Sequence, residues 1–570
     1  MAVDLKPVDV VVIGLGAAGG VAVLPMARAG LKIAGIEAGT WIDPHTFRAD
    51  EIYNLVRRKV TSSPKARLES PTVRHSTTEP ARQMGLSPNM NAIGGSSVHY
   101  WGQSWRLKPW DFKTRSEVMK RYGASAVPAG STLEDWPISY DELEPYYDTI
   151  EHEVGVCGKA GNVQGKIDAR GNIHEGPRQR EYPMPPLRAT DFTKLMSEAA
   201  RKLGWHPFQA PAAINSQEYG GRPGCAYHGN CDTAGCHISA KNSTAVTTIP
   251  RAVKTKNLTI FDRSTVTRIL VGPDGRASGV QYVRDGQEYF QPARVVLLSS
   301  YNYENSRRLL LSKSKAFPNG LSNNHGQVGR HYFGHWGTSG GGGVLALFPF
   351  DINIWYGLPA QGATVDDWAD DTYDHTGLGF IGGSSLHVHT EMHPVASAGM
   401  NTFGRASLWG SKWKAFIREN AARHVTSYHQ TNTFPYETTY LDLDPEVHDP
   451  VGEPVIRITS PTRENERRAT EYSQGKMEEW FRAAGAIDVR RQPVNAPGIS
   501  NHAYGGTRMG DNPDSSVVNR WGFSHEVPNL GILGGSVMVT SGARNPTLTI
   551  QALAWRTADH LVKSWKSISV

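Results

Sequence analysis

Val8-Asp-Val-Val-Val-Ile13 runs straight into Gly14-Leu-Gly16-Ala-Ala-Gly19, a helical stretch follows to Ala29, and Lys32-Ile-Ala-Gly-Ile36 ends on Glu37. The order is strand, glycine loop, helix, strand, acid. Six nearly all-apolar residues rich in β-branched side chains read as a strand buried on both faces of a parallel sheet. Gly14 permits the tight turn, Gly16 lets a pyrophosphate approach the backbone, and Gly19 lets the helix pack closely on the strand. Glu37 stands where an adenosine ribose would offer its hydroxyls. The ligand this pattern specifies is a dinucleotide. The loop alone does not separate NAD from FAD, although Glu37-Ala38-Gly39 is the ending associated with FAD proteins.

Working outward, 570 residues allow two to four domain-sized units, or one discontinuous pair built around a large ligand. With 39% hydrophobic and 20% charged residues, the chain is neither disordered, collagenous nor coiled-coil. The net charge of +6 comes from basic residues that are scattered rather than clustered, which argues against nucleic acid as a partner. Four cysteines cannot form a disulfide framework in so long a chain. No apolar run approaches the ~18 residues of a membrane span, so no membrane association is expected. Asp4 and Asp9 lie where a secretory signal would carry basic residues, and the expected location is cytoplasmic.

Farther along, Asn257 to Arg268 and Ser278 to Val283 read as strands on either side of the turn Gly272-Pro-Asp-Gly275, and Ala293 to Ser299 as a further buried strand. Between about 331 and 494 the chain is rich in aromatics, glycine and histidine. Alternation such as Ser385-Leu-His-Val-His389 indicates a sheet roofing a pocket. The segment from Asn501 to Gly510 is a glycine-rich loop carrying His502. Asn545-Pro546-Thr547 opens a long amphipathic helix to about Trp565, with Asn545 expected at N-cap and Pro546 at N1. The positive end of that helix would favour an anionic reduced flavin.

Taken together, Gly14 to Glu37, Gly94-Gly95-Ser96-Ser97, Trp136-Pro-Ile-Ser-Tyr-Asp-Glu-Leu-Glu-Pro-Tyr-Tyr147, Asn501 to Gly510 and Asn529 to Thr549 resemble the glucose-methanol-choline (GMC) family of flavin oxidoreductases over nearly the full length. With Trp105-Arg106, the Trp136 to Tyr147 segment is most similar to bacterial pyranose or glycoside oxidases and FAD-dependent sugar or gluconate dehydrogenases. The resemblance implies an α/β plus α+β fold. A discontinuous, Rossmann-like FAD-binding domain would comprise 1–100, 221–330 and 495–570. A substrate-binding domain on an antiparallel sheet would comprise part of 101–220 and 331–494.

It further implies FAD held by Gly14, Gly16, Ala18, Gly19, Glu37, Gly94, Gly95, Ser96, His99, Val266, Gly535, Pro546 and Thr547. His502 would be the general base, and Asn545 would hold the alkoxide while hydride passes to flavin N5. An imidazole near its ordinary pKa of about 6.5 suits that task at neutral pH. His99 matches the position where pyranose oxidases bond a histidine to the flavin ring. Other relatives keep a histidine there with a dissociable flavin, and both arrangements stay open.

Cys225, Cys231 and Cys236 resemble the cluster-binding segment of membrane-linked sugar dehydrogenases, but the last gap is one residue longer and the adjacent cysteine pair is missing. A structural loop is the preferred reading, with an iron-sulfur cluster or zinc as alternatives. His387, His389 and His393 read as a polar sheet face along a sugar pocket in preference to a metal site, and no metal ligand is assigned.

The expected function is oxidation of a secondary hydroxyl, at C2 or C3 of a pyranose or glycoside, to a keto-sugar, with O2 reduced to hydrogen peroxide. The alternative is a dehydrogenase passing electrons to a quinone or cytochrome. A flavin-binding adhesion protein or lyase is a third reading that His502 and Asn545 oppose. The partners are a sugar or glycoside and O2 or another acceptor, and the protein would be a monomer or homo-oligomer.

Overall fold

The computed structural model describes residues 2–53, 70–84, 90–232, 234–336, 342–353, 356–391, 395, 398, 402–496 and 498–569. Val8–Ile13 forms a strand whose Val10, Val11 and Val12 are fully buried, as expected for a strand covered on both faces. It pairs in parallel with Ile33–Ile36, which pairs in parallel with Leu258–Phe261. On its other side lies Gln287–Leu298, a twelve-residue strand that serves two kinds of pairing. Residues from Ala293 onward run parallel to Val8–Ile13, while those before it run antiparallel to Ala277–Arg284, which in turn pairs with Ser264–Val271. Leu530–Ile532 adds a parallel strand against Val296–Leu298.

Two expectations need correction here. The strand expected from Asn257 to Arg268 is broken in two at Asp262 and Arg263, because Arg263 takes a left-handed φ of 50° and turns the chain. Leu258–Phe261 therefore ends the parallel sheet, while Ser264 begins the antiparallel hairpin, with its N–H on the Glu37 carbonyl. The C-terminal helix is Thr547–Lys563, with Pro546 rather than Asn545 at N-cap: the Ile550 N–H bonds the Pro546 carbonyl. This helix and Gly19–Arg28 pack together, and Tyr140–Ile150 closes the same core with Leu143, Tyr147 and Ile150.

A second, four-stranded antiparallel sheet has the order Tyr428–Thr431, Ser384–Val388, Ala363–Val365, Pro207–Gln209. The helix Glu464–Ala483 covers one face, where Leu386 and Val388 join the core of Met477, Trp480 and Phe481, and Ser384 Oγ meets Ser473 Oγ at 2.7 Å. By the two-residue period of a strand, Ser385 and His387 point the opposite way, toward the nucleotide sheet. Among the described residues no helix is long and apolar enough to cross a membrane.

Candidate active site

Between the two sheets lies a cavity of about 550 Å³. The N-terminal loop forms one end of it. Gly14 has φ 86°, and a Cβ there would sit 2.5 Å from the Ser299 carbonyl oxygen; a Cβ on Gly19 would lie 2.0 Å from the Gly14 oxygen. Both glycines are therefore forced by the backbone, as the loop pattern requires. Gly16 differs: a Cβ there would meet nothing nearer than Gly95 Cα at 3.9 Å, so its face is open to the cavity it lines. The Glu37 carboxylate is buried, accepts the Leu15 and Gly39 N–H groups at 2.9 Å each, and forms part of the same wall.

Ala18, Gly95, Ser96, His99, Val266, Gly535, Pro546, Thr547, His502 and Asn545 also line this cavity. Gly19 and Gly94 do not: Gly19 seats the helix, and Gly94 carries a left-handed turn (φ 95°) whose N–H bonds the Leu15 carbonyl. A cradle open at Gly16, a clamped carboxylate and a helix N-terminus at Pro546 and Thr547 fit a dinucleotide. His99 adds a further sign. Its Nε2 is buried on the cavity wall without a hydrogen-bond partner, and burial, aided by Lys241, pushes the imidazole down to about 4.

At the other end of the cavity His502 and Asn545 come together, with Asn545 Nδ2 3.2 Å from His502 Nε2. Asn545 Oδ1 accepts from Trp105 Nε1 and from Gln430 Nε2, each at 2.6 Å. An indole nitrogen can only donate, so the atom facing it must be the amide oxygen and the NH2 group must face His502. His502 Nε2 then accepts, which places the proton on Nδ1. That proton points at His335 Nδ1, 3.1 Å away, and His335 donates from Nε2 to the Gly542 carbonyl at 2.9 Å. From Trp105 to Gly542 every donor finds an acceptor in one direction only, so both tautomers are determined. Tyr504 OH, against the His335 ring, donates to the Arg544 carbonyl at 3.0 Å.

Burial pushes His502 down to about 4, in place of the 6.5 of an exposed imidazole, and lowers His335 well below 6.5, aided by His502 beside it. Both rings are neutral at neutral pH, and the one lone pair of His502 Nε2 faces the Asn545 NH2 group, whose place a substrate hydroxyl would take. Asn545 is not a capping residue; its side chain is committed to Trp105, Gln430 and His502. Its position is held by the preceding residue, since Arg544 forms a fully buried pair with Asp366 (3.0 and 2.5 Å) and lies 5.5 Å over the Trp105 ring. Asp366 also accepts from Asn172 and Ser385.

His387 lines the cavity, 3.0 Å from Gln103 Nε2 and 2.9 Å from the Pro359 carbonyl. His389 packs edge-on against Trp101, and His393 lies outside the described residues. Cys225, Cys231 and Cys236 are free thiols; burial raises Cys225 to about 11 and Cys231 to about 12. Their loop reaches the cavity through Asp232, which accepts from Trp101 Nε1. Trp105, Gln430 and His335 are candidate site positions, bonded to Asn545 or His502, that motif reading missed. Trp105 was visible only as part of a family-like pair, and Gly334-His335-Trp336 carries no spacing signal.

Profiles of GMC oxidoreductases match residues 9–336 and 435–554. The chain is 31% identical to a gluconate 2-dehydrogenase flavoprotein of Pantoea cypripedii, over 97% of this chain and 93% of that protein. It is 28% identical to a 6'''-hydroxyparomomycin C oxidase of Streptomyces lividus, over 96% and 90%. A formate oxidase from Aspergillus oryzae superposes over 100% of both chains with a TM-score of 0.62 at 17% identity.

Proposed function

The chain belongs to the GMC oxidoreductase family, FAD enzymes that oxidise CH–OH groups of alcohols and sugars, and on that premise we propose that it oxidises a secondary hydroxyl, at C2 or C3, of a pyranose or glycoside. The observation that carries this reading is the His502–Asn545 pair at a cavity whose wall alternates polar Gln103, His387 and Gln430 with aromatic Tyr100 and Trp101. A pyranose offers the matching alternation of hydroxyls and apolar ring faces.

His502 Nε2 takes the hydroxyl proton, and Asn545 Nδ2 donates to the oxygen as negative charge builds on it. The new imidazolium keeps its Nδ1–H on His335, a bond that strengthens once the donor is charged. Bound FAD supplies the hydride acceptor and, with O2 as oxidant, yields hydrogen peroxide. Stopped-flow flavin reduction with a panel of sugars and glycosides, with and without O2, tests the reading. His502→Ala should slow reduction by roughly 10²–10⁴-fold with FAD still bound. Wild-type rates in that variant would remove His502 as the base.

A second reading, transfer of electrons to a quinone or cytochrome, is favoured by the full-length likeness to a gluconate dehydrogenase flavoprotein. Slow reoxidation by O2 with fast reoxidation by a quinone would select it. Stoichiometric iron and acid-labile sulfide would add a cluster at Cys225, Cys231 and Cys236.

A further inference from the structure

His174, His206 and Asp367 come from three distant segments and meet at the edge of the antiparallel sheet. The pairing of Ala363–Val365 with Pro207–Gln209 stops at Val365 opposite Pro207, so His206 and Asp367 lie just beyond the last pair. Asp367 Oδ2 accepts the His206 N–H at 3.0 Å, which turns Oδ1 toward the two imidazoles, 2.7 Å from His206 Nδ1 and 3.7 Å from His174 Nε2. The His174 loop is anchored independently: its N–H bonds Asn172 Oδ1, and Asn172 Nδ2 bonds Asp366.

The His206–Asp367 hydrogen bond accounts for only part of this cluster. His174 Nε2 is buried and has no hydrogen-bond partner, although it faces a carboxylate oxygen too distant to accept from it. All three donor atoms lie within 4.8 Å of one another. Zinc bonds of about 2.0–2.2 Å to nitrogen and oxygen put tetrahedral donors about 3.3 Å apart, and the observed 2.7 and 3.7 Å straddle that value. The side chains are 23%, 48% and 14% exposed in the order His174, His206, Asp367, so an ion has an entry path past His206.

We propose that His174, His206 and Asp367 form a three-ligand site for a divalent cation of zinc type, which clamps the His174 loop to the sheet edge. Two imidazoles and one carboxylate with an open position are a zinc donor set, and the hydrogen bonds on Asp367 Oδ2 and around Asn172 orient the ligands from behind. The clamp adjoins Asp366, the anchor of Arg544, and takes no part in hydride or proton transfer.

The test uses the FAD-loaded protein, stripped with EDTA, desalted and titrated with zinc chloride against a chromophoric chelator. Wild type should bind about one zinc per chain with a rise in Tm, and His206→Ala and His174→Ala should each weaken that binding by about 10-fold or more and abolish the rise. Cobalt(II) in place of zinc should give visible d–d bands without a near-ultraviolet thiolate band, which separates this site from Cys225, Cys231 and Cys236. Absence of zinc binding, equal affinity in the variants, or a thiolate band would overturn the proposal.

Discussion

His335 and His502 meet through their Nδ1 atoms, 3.1 Å apart, and one proton serves both. Because the Gly542 carbonyl holds His335 protonated on its far nitrogen, that proton belongs to His502, and the lone pair of His502 is left on Nε2, facing Asn545. The tautomer of a residue on one loop is thus set by a residue 167 positions earlier.

Replacing His335 by Ala should slow flavin reduction by about 10- to 100-fold, since a hydrogen bond to a group that becomes charged is worth about 1.5–3 kcal/mol. His335→Gln, whose amide can accept from His502 and donate to Gly542, should recover most of the rate. Anaerobic stopped-flow measurements, set beside Tm values for both variants, distinguish positioning from loss of fold. Equal slowing by Gln and Ala would show that the shared proton is irrelevant.

Trp105→Phe keeps the ring under Arg544 but removes the indole donor to Asn545. The amide loses one of the two bonds that point its NH2 at His502, and reduction should slow by roughly 10-fold, about 1.4 kcal/mol, with little change in FAD content. Combining it with Gln430→Leu should cost far more than the two separate losses added together, because only together do they leave Asn545 Oδ1 unbonded. Strict additivity of the two rate losses would refute this.

Acid should act on stability before it acts on the base. His99, His387, His429 and His502 are each pushed down to about 4, with burial as the leading cause. In the unfolded chain these imidazoles bind protons near pH 6.5, so between about pH 6.5 and 4 the unfolded state holds more protons and is favoured by acid. Tm should be level above about pH 7 and fall steadily below pH 6.5. The rate of flavin reduction should stay level down to about pH 5 and drop only toward 4. A kinetic limb at pH 6.5 would contradict the burial of His502.

Nε2 of His99, buried on the cavity wall without a partner, is the kind of nitrogen a bond to the cofactor would satisfy. Acid precipitation is expected to leave flavin with the protein in wild type and to release it in His99→Ala. Free flavin in the wild-type supernatant would exclude the covalent link and leave His99 as a packing neighbour.

The nucleotide end of the site was legible because its determinants are local: turn, approach and helix seat are all decided within Gly14 to Gly19, and the acid closes the next strand. His502 and Asn545 were legible because each sits in a dense motif. The break at Arg263 was not, since a single left-handed residue outside glycine leaves no mark on hydrophobic periodicity. Nor was Trp105, which reaches Asn545 across 440 positions of sequence, or the His174, His206 and Asp367 cluster, whose members share no spacing at all. The cap expected of Asn545 failed for a related reason: a tertiary contact claimed the side chain that local rules would have used on the helix end.

The strand Leu530–Ile532 completes the sheet that Val8–Ile13 begins, by pairing with Val296–Leu298. A ribosome adding ~5–20 residues per second needs roughly half a minute to two minutes to reach it. During that time the dinucleotide cradle has its glycine loop but lacks a strand, and the loop of His502 and the helix that follows Asn545 have not yet been made. Cofactor capture in the cell is therefore a late event in biogenesis, and truncations that remove Leu530 onward should accumulate as chaperone-bound, flavin-free chains.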